Sequence, residues 1–189
     1  LLLFELMSFI KKILSLVLIV QPMLLASQNK YPTDYFGSPI DFPISLSGTF
    51  GELRNGHLHS GIDIRTQGVE GKPIKAIADG WVSRVVVSPT GYGKAIYIDH
   101  PNGYTSLYGH CQSFYQAIEK YVNTEQYRNE SFAVDLKFTK NEFPVKKGQL
   151  IAKSGNSGSS GGPHIHFEIR DTKEKTTINP LFFGYKIKD

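Results

Sequence analysis

Strict alternation of polar and apolar side chains from His164 to Arg170 constrains the fold of this chain more than any other feature. A period of two is typical of a β-strand that packs one face against the core. Side chains two residues apart leave a strand on the same face, about 6.6 Å apart, so we expect His164, His166 and Glu168 to share one wet face. The apolar side chains between them are predicted to face the core: Ile165, Phe167 and Ile169.

Two imidazoles on one face can hold a metal ion and keep a proton-carrying group beside it. The alternative is an ordinary solvated polar face, because short motifs often occur by chance. Taken alone, the pair His164 and His166 leaves both interpretations open.

The composition indicates one globular domain that is mainly β. A chain of 189 residues can enclose one sizeable core and is too short for two comfortable ones. Hydrophobic residues make up 40% of it and charged residues 20%, which excludes a disordered chain, and the many Gly, Tyr and Val residues favour strands. We therefore expect a compact antiparallel β-sheet domain, and a monomer.

Charge and cysteine content exclude several other classes of protein. The net charge is +4, or about +3 without Glu5, Lys11 and Lys12 of the N-terminal segment; so modest a surplus suits attraction to an anionic surface such as a bacterial envelope, but it identifies no partner. No basic stripe with interleaved aromatic residues supports nucleic-acid binding. Cys111 is the only cysteine, so an internal disulfide and a multi-cysteine metal site are excluded, and we expect it to be buried.

The N-terminal segment has the layout of a secretory signal peptide. Lys11 and Lys12 precede an apolar run over residues 13–25, and small residues follow. The run is too short for a comfortable membrane span, although a retained anchor is an alternative. We predict a signal peptide over residues 1–27, with 1–6 as upstream read-through, and export to the periplasm or cell envelope. An extended lead-in over 28–47 and the domain over 48–185 follow.

The middle of the chain predicts a meander of strands interrupted by one helix. The turn His100–Gly103 separates strands at Lys94–Asp99 and Tyr104–Tyr108. Apolar residues after Ser113 then recur at helical spacing, and Gln116 is placed to complete a capping box with Ser113. Further strands are predicted over residues 61–65, 73–78, 81–87, 132–138 and 145–153.

His59 and Asp63 form a second group of candidate metal ligands. A fully extended strand would hold them about 13 Å apart, so the chain must bend between them if both are to reach one ion. Gly61 permits such a bend, because glycine adopts backbone angles closed to other residues. Together with an imidazole of the later pair, they would supply three ligands of the types zinc uses and leave a fourth position for water.

His110, in Tyr108-Gly109-His110, is a third candidate. Alone it would be a histidine at a strand end, satisfied by water or backbone. Beside a metal site, His110 and His164 would be imidazoles able to accept a proton from water and stabilise the oxyanion of a tetrahedral intermediate.

These elements together resemble the signature of the lysostaphin-type (LytM-type) zinc peptidases. The matching segments are 59–63, 108–110, 155–158 and 163–168, and they occur in the family's order between about Phe50 and Pro180. Each motif is weak alone, but their ordered coincidence is specific.

The resemblance implies a lysostaphin-like fold of the duplicated hybrid motif type, with a substrate groove and, in this chain, one inserted helix. It implies that His59, Asp63 and His166 bind Zn²⁺ and that His110 and His164 are the catalytic imidazoles. Spacing alone does not decide which histidine of the later pair binds the metal.

The implied function is that of a secreted zinc metalloendopeptidase that hydrolyses peptide cross-links of bacterial peptidoglycan. A non-catalytic wall-binding module or activator of another wall hydrolase is the main alternative, and a zinc peptidase acting on proteins is a second. No stable membrane span is expected after removal of the signal peptide.

Four residues or segments keep alternatives open. A helix and a strand are inserted between His110 and Val145, where many family members have a short connection. His57 stands where many members carry arginine. It could be a competing ligand or a substrate contact, but the favoured interpretation is an exposed loop residue. His100 is expected to be exposed in its turn. Glu168 either orients a metal ligand or forms a surface pair with Arg170.

Overall fold

The computed structural model describes Glu5, Lys11 and residues 30–188. The predicted signal peptide and its read-through segment therefore lie outside the described residues, apart from those two positions. The chain forms two compact units with a boundary after Pro32. The fold described below is that of the second unit, which begins at Thr33. No helix within the described ranges combines the length and the apolar character needed to cross a bilayer.

Strands dominate this unit. They are β1 (Leu46–Gly48), β2 (Leu53–Arg54), β3 (His57–Leu58), β4 (Ile62–Arg65), β5 (Pro73–Lys75), β6 (Gly80–Val87), β7 (Lys94–Asp99), β8 (Tyr104–Gly109), β9 (Ser113–Phe114), β10 (Val134–Lys137), β11 (Pro144–Val145), β12 (Leu150–Lys153), β13 (His164–Asp171) and β14 (Thr177–Ile178). Helix α1 spans Gln116–Arg128, and a short 3₁₀ helix spans Pro180–Phe183.

The strands form one large antiparallel sheet and two small ones. The large sheet has the order β1-β4-β13-β8-β7-β6-β10, with β11 beside β6 and β14 beside β13. The order β5-β12-β9 gives a second sheet, and β2 and β3 form a two-stranded hairpin. This architecture confirms the prediction of a mainly β, antiparallel domain with one inserted helix.

Strand β13 occupies the interior of the large sheet, between β4 and β8. Its apolar side chains face the core as predicted, and the ring of Phe167 packs against Tyr108 at 5.4 Å. The prediction that its polar row is wet is wrong for His166, which is only 4% exposed, and for Glu168, which is fully buried, whereas His164 is partly exposed. Tyr92 covers this row, with its ring centroid 5.0 Å from that of His166.

Helix α1 forms where its periodicity predicts, but its N-terminus is built differently. The predicted capping box is wrong, because Ser113 pairs with β12 as part of β9 and the helix begins only at Gln116. The carboxylate of Glu119 instead accepts a hydrogen bond of 2.7 Å from the backbone N–H of Phe114. Ile118 and Val122 are the buried residues of the helix.

Phe36 of the lead-in packs at the end of the sheet remote from His166, whereas the last residues of the lead-in belong to β1 beside β4. Phe36 is buried against the ring of His100 and the Tyr104 end of β8, whereas His166 pairs with Gly109 at the other end of that strand. His100 is therefore buried, which overturns its expected exposure. Its two ring nitrogens lie 2.9 Å from the Asp79 carbonyl oxygen and from the Ser106 hydroxyl.

Candidate metal centre

The hairpin of β2 and β3 leads directly to His59. The Nδ1 atom of His59 lies 2.8 Å from the carbonyl oxygen of Thr49, which can only accept, so Nδ1 carries the hydrogen. The lone pair of a neutral ring is then on Nε2. That atom lies 3.1 Å from Oδ1 of Asp63 and 3.0 Å from Nδ1 of His166.

The chain bends at Gly61 as predicted, but glycine is needed there for a reason other than the predicted one. The φ angle of Gly61 is not in the left-handed region. A Cβ atom at this position would instead lie 2.3 Å from the carbonyl oxygen of Phe167. The glycine is therefore required by the close approach of β13 and not by a left-handed backbone conformation.

Strand pairing places His166 opposite Asp63. Residues directly opposite each other in an antiparallel pair project to the same side, and the two side chains meet with Nδ1 of His166 3.1 Å from Oδ1 of Asp63. The other ring nitrogen, Nε2, donates to Oε1 of Glu168 at 2.8 Å. His166 thus presents Nδ1 to the centre, and the carboxylate behind it fixes that orientation.

The residues present fit a zinc ion. One donor atom from each of His59, Asp63 and His166 lies within 4.8 Å of the other two, and all three residues are buried. Two imidazoles and a carboxylate are ligands that zinc prefers, and each imidazole is oriented by a hydrogen bond from its remote nitrogen. Three protein ligands leave one tetrahedral position open.

Glu168 is the carboxylate buried most completely at this site. Its Oε1 accepts from Ser60 Oγ at 2.5 Å and from the Tyr92 hydroxyl at 2.6 Å as well as from His166, and its Oε2 accepts from Arg170 Nε at 2.6 Å. Both of the roles expected for Glu168 are therefore present together, but the pair with Arg170 is buried rather than on the surface.

Charge pairing keeps both carboxylates ionised. Burial would raise the pKa of Asp63, but hydrogen bonds from the surrounding imidazoles and from Arg54 hold it well below its usual range. Arg54 donates from Nη2 to Oδ2 of Asp63 at 2.7 Å. The histidines contact the other carboxylate oxygen, Oδ1. Burial likewise acts against ionisation of Glu168, yet hydrogen bonds from His166 and Arg170 lower its pKa to about 2.

The other two candidate histidines, His110 and His164, lie beside this cluster. The ring centroids of His110 and His164 are 4.7 Å apart, and each Nδ1 lies 2.8 Å from a backbone carbonyl oxygen, that of Ser157 and that of Gly162 respectively. His110 has a φ of 58°, a left-handed conformation that is uncommon outside glycine and is often found at functional sites. Burial lowers the pKa of His110 to about 4, which favours the neutral ring near neutral pH.

His57 does not join the cluster. Its side chain is exposed and its Nδ1 lies 3.3 Å from the Asn55 carbonyl oxygen.

Four residues that contact the site were not predicted from the sequence: Arg54, Thr49, Ser60 and Tyr92. No local pattern marks Ser60 or Tyr92, because they contact Glu168 from positions 108 and 76 residues earlier in the chain.

A groove of about 500 Å³ opens beside His164. Its walls come from the end of β4 with the segment that follows it, and from the start of β13 with the glycine-rich segment before it. Ser47 lies at one edge, and none of the lining belongs to the insertion around α1. The lining residues are Ser47, Arg65, Thr66, Gln67, Gly68, Gly161, Gly162, Pro163 and His164.

Comparison with known proteins identifies the family. The model of peptidase family M23 matches residues 57–127 and 129–180, which include all five candidate site residues. The chain belongs to peptidase family M23. The resemblance to lysostaphin-type peptidases is thereby confirmed.

Curated relatives of this M23 domain include both peptidases and activators of murein hydrolases. The DD-carboxypeptidase/endopeptidase Mpg of Neisseria meningitidis serogroup B is 33% identical over 129 residues, which is 68% of this chain and 23% of the relative. The murein hydrolase activator NlpD of Escherichia coli is 34% identical over 133 residues, 70% of this chain and 27% of the relative. The chain thus spans about a quarter of the length of these relatives, which are peptidoglycan hydrolases or activators of them.

Solved structures agree with the family. The catalytic domain of the prophage-encoded M23 protein EnpA from Enterococcus faecalis superposes with a TM-score of 0.55 at 27% identity, covering 82% of this chain and 97% of that domain. The catalytic domain of lysostaphin from Staphylococcus simulans gives 0.51 at 26% identity, covering 77% and 91%. Peptidases of family M23 are generally zinc-dependent, in keeping with the donor set described above.

Proposed function

We propose that this M23 domain is an exported zinc metalloendopeptidase that hydrolyses peptide cross-links of bacterial peptidoglycan in the periplasm or cell envelope. The observation that carries the proposal is the convergence of donor atoms from His59, Asp63 and His166 within 4.8 Å, with both imidazoles oriented from behind. The relative Mpg, named a DD-carboxypeptidase/endopeptidase, supports peptidoglycan peptides as the substrate class.

Each of the three clustered residues would hold the ion through one atom: Nε2 of His59, Oδ1 of Asp63 and Nδ1 of His166. When bound, zinc supplies Lewis acidity toward the scissile carbonyl and an activated water molecule. Arg54 holds the second oxygen of Asp63, so the carboxylate is positioned before any ligand arrives.

His110 and His164 would handle the proton and the developing negative charge. In each ring Nδ1 is engaged by a backbone carbonyl, so Nε2 is the nitrogen that remains for the reaction, and Nε2 of His164 lies 3.5 Å from Oδ1 of Asp63, at the edge of the cluster. A neutral His110 can accept a proton from the attacking water and return it to the leaving amine. His164, which lies at the groove wall, is placed to donate to the oxyanion of the tetrahedral intermediate.

The alternative is a non-catalytic activator of another wall hydrolase. The relatives EnvC and NlpD, both named murein hydrolase activators, are 33% and 34% identical to this chain. Retention of all three candidate ligands and of both further imidazoles favours the peptidase, because an activator has no need of a positioned metal centre.

Metal content and muropeptide release from purified sacculi test the proposal directly. We expect one zinc per chain, release of cleaved cross-links, loss of both in His166→Ala, and no change in His57→Ala, whose side chain is exposed and outside the cluster. Chelation should abolish cleavage and added zinc restore it. Full cleavage by His166→Ala would contradict the peptidase, and wall binding without any cleavage by the zinc-loaded protein would favour the activator.

A further inference from the structure

Arg65 differs from the other arginines within residues 30–188. Those four each form an ion pair with a carboxylate, whereas none is found for Arg65 in that range, and its Nε donates instead to the carbonyl oxygen of Leu46 at 2.9 Å. The pairs are Arg54–Asp63, Arg84–Asp135, Arg128–Glu125 and Arg170–Glu168. Arg65 therefore presents a positive charge that the described part of the protein does not balance.

The unbalanced charge faces the groove. Arg65 lies opposite His164 in the pairing of β4 with β13, as Asp63 lies opposite His166. Opposite residues project to the same side of the sheet, so Arg65 shares the face of the metal centre. It stands two residues beyond Asp63, about 6.6 Å along the strand, and it lines the cavity beside His164.

The side chain of Arg65 is suited to a carboxylate. The bond from Nε to Leu46 restrains the guanidinium, while its terminal nitrogens can form a bidentate pair with a planar anion. Across the cavity, a Cβ atom at Gly161 or Gly162 would meet nothing within 4 Å, so the wall there leaves room for an extended peptide.

We propose that Arg65 binds a carboxylate of the substrate peptide, one or two residues from the bond that is cleaved, and that the enzyme therefore selects anionic peptides over amidated ones. This inference rests on the proposed function and adds to it the charge of the substrate. Peptidoglycan peptides carry such carboxylates on side branches and at their C-termini, and these groups occur both free and amidated.

The test compares one substrate in two charge states. Cross-linked muropeptides are used as free acids and after conversion of their carboxyl groups to amides with carbodiimide and ammonia. We expect the wild-type protein to cleave the acids with a kcat/KM about 10- to 100-fold higher, the effect of a lost charge-assisted hydrogen bond. Arg65→Gln should remove this preference by lowering kcat/KM for the acids alone, and Arg65→Lys should retain part of it.

Two controls separate this role from a structural one. Lys137→Gln removes an exposed cation from β10 and should leave the preference unchanged. Zinc content and melting temperature of Arg65→Gln should match those of the wild type, because Leu46 loses only one hydrogen bond. Equal loss on acids and amides in that variant, or a wild-type protein that does not distinguish them, would overturn the assignment.

Failure of the proposed function would be seen separately. If the wild-type protein cleaves neither form, calorimetric binding of the two muropeptide preparations still decides the role of Arg65. Preferential binding of the acids that Arg65→Gln removes would support the carboxylate site on a non-hydrolytic protein, and equal binding would reject it.

Discussion

The metal centre and the insertion of residues 111–145 are held in place by opposite means. At the centre, buried polar atoms constrain one another: Glu168 alone accepts hydrogen bonds from four side chains. The helix of the insertion is anchored by Ile118 and Val122, whereas Tyr127 near its C-terminus is 86% exposed and Phe132, which follows the helix, is 62% exposed. The contrast indicates that the centre depends on specific polar contacts. Helix α1 adds two buried apolar side chains to an insertion that is otherwise held by the pairing of β9 with β12 and of β10 with β6.

The largest expected effect on the insertion is the loss of its apolar anchor. Ile118→Ala removes a buried side chain and should destabilise the fold by about 2–5 kcal/mol, while zinc content at low temperature remains that of the wild type. Thermal or urea unfolding gives the first quantity and metal analysis the second. Tyr127→Ala is the matched control and should change neither, and a zinc site lost along with Ile118 would show that the two regions are coupled.

A smaller effect is expected at the centre when the support behind a ligand is changed. In Glu168→Gln the amide leaves Arg170 without its carboxylate and weakens the orientation of His166, so zinc affinity should fall by about 10- to 100-fold. Competition with a chromophoric chelator measures the affinity, and the melting temperature of the metal-free protein should also fall.

Asp135→Asn is the control for that change, because it breaks an exposed arginine pair on the same sheet and should leave zinc affinity unaltered. An affinity of Glu168→Gln within threefold of the wild type would mean that Glu168 serves the packing of the sheet rather than the orientation of His166.

The smallest effect concerns the N-terminus of α1. Glu119→Ala removes the carboxylate that accepts from the Phe114 N–H and pairs with Lys94, so we expect a loss of about 1 kcal/mol in unfolding free energy. Lys120→Ala, at an exposed position of the same helix, should leave the free energy of unfolding nearly unchanged, because alanine has a slightly higher helix propensity than lysine. Equal losses in both variants would contradict the role of Glu119 at the N-terminus of the helix.

Local patterns were sufficient to predict the class of fold and most of its elements. The alternation in β13, the hairpin at His100–Gly103 and the helical spacing after Ser113 each depend on residues close in sequence. The capping box failed because Ser113 gains more by pairing with β12, a tertiary contact that local pattern does not register.

The sequence was sufficient to predict which residues form the candidate site, but not how deeply they are buried or which atoms they present. Whether the polar row of β13 is wet depends on Tyr92, which comes from a loop 76 residues earlier. The nitrogen that His59 offers to a metal is set by its hydrogen bond to Thr49, and that of His166 by its hydrogen bond to Glu168. Neither contact produces a periodic pattern in the sequence. His100 was misjudged for the same reason, since the ring of Phe36 in the lead-in covers it.

The pairing of each carboxylate at the centre with its own arginine has a consequence for the order of events in maturation. Asp63 is balanced by Arg54 and Glu168 by Arg170. A cluster of uncompensated carboxylates would repel itself until a cation arrived, and folding would then have to wait for the metal. Here the charges cancel within the chain, so the domain can reach its native shape first and acquire its ion afterwards, as an addition to a finished structure.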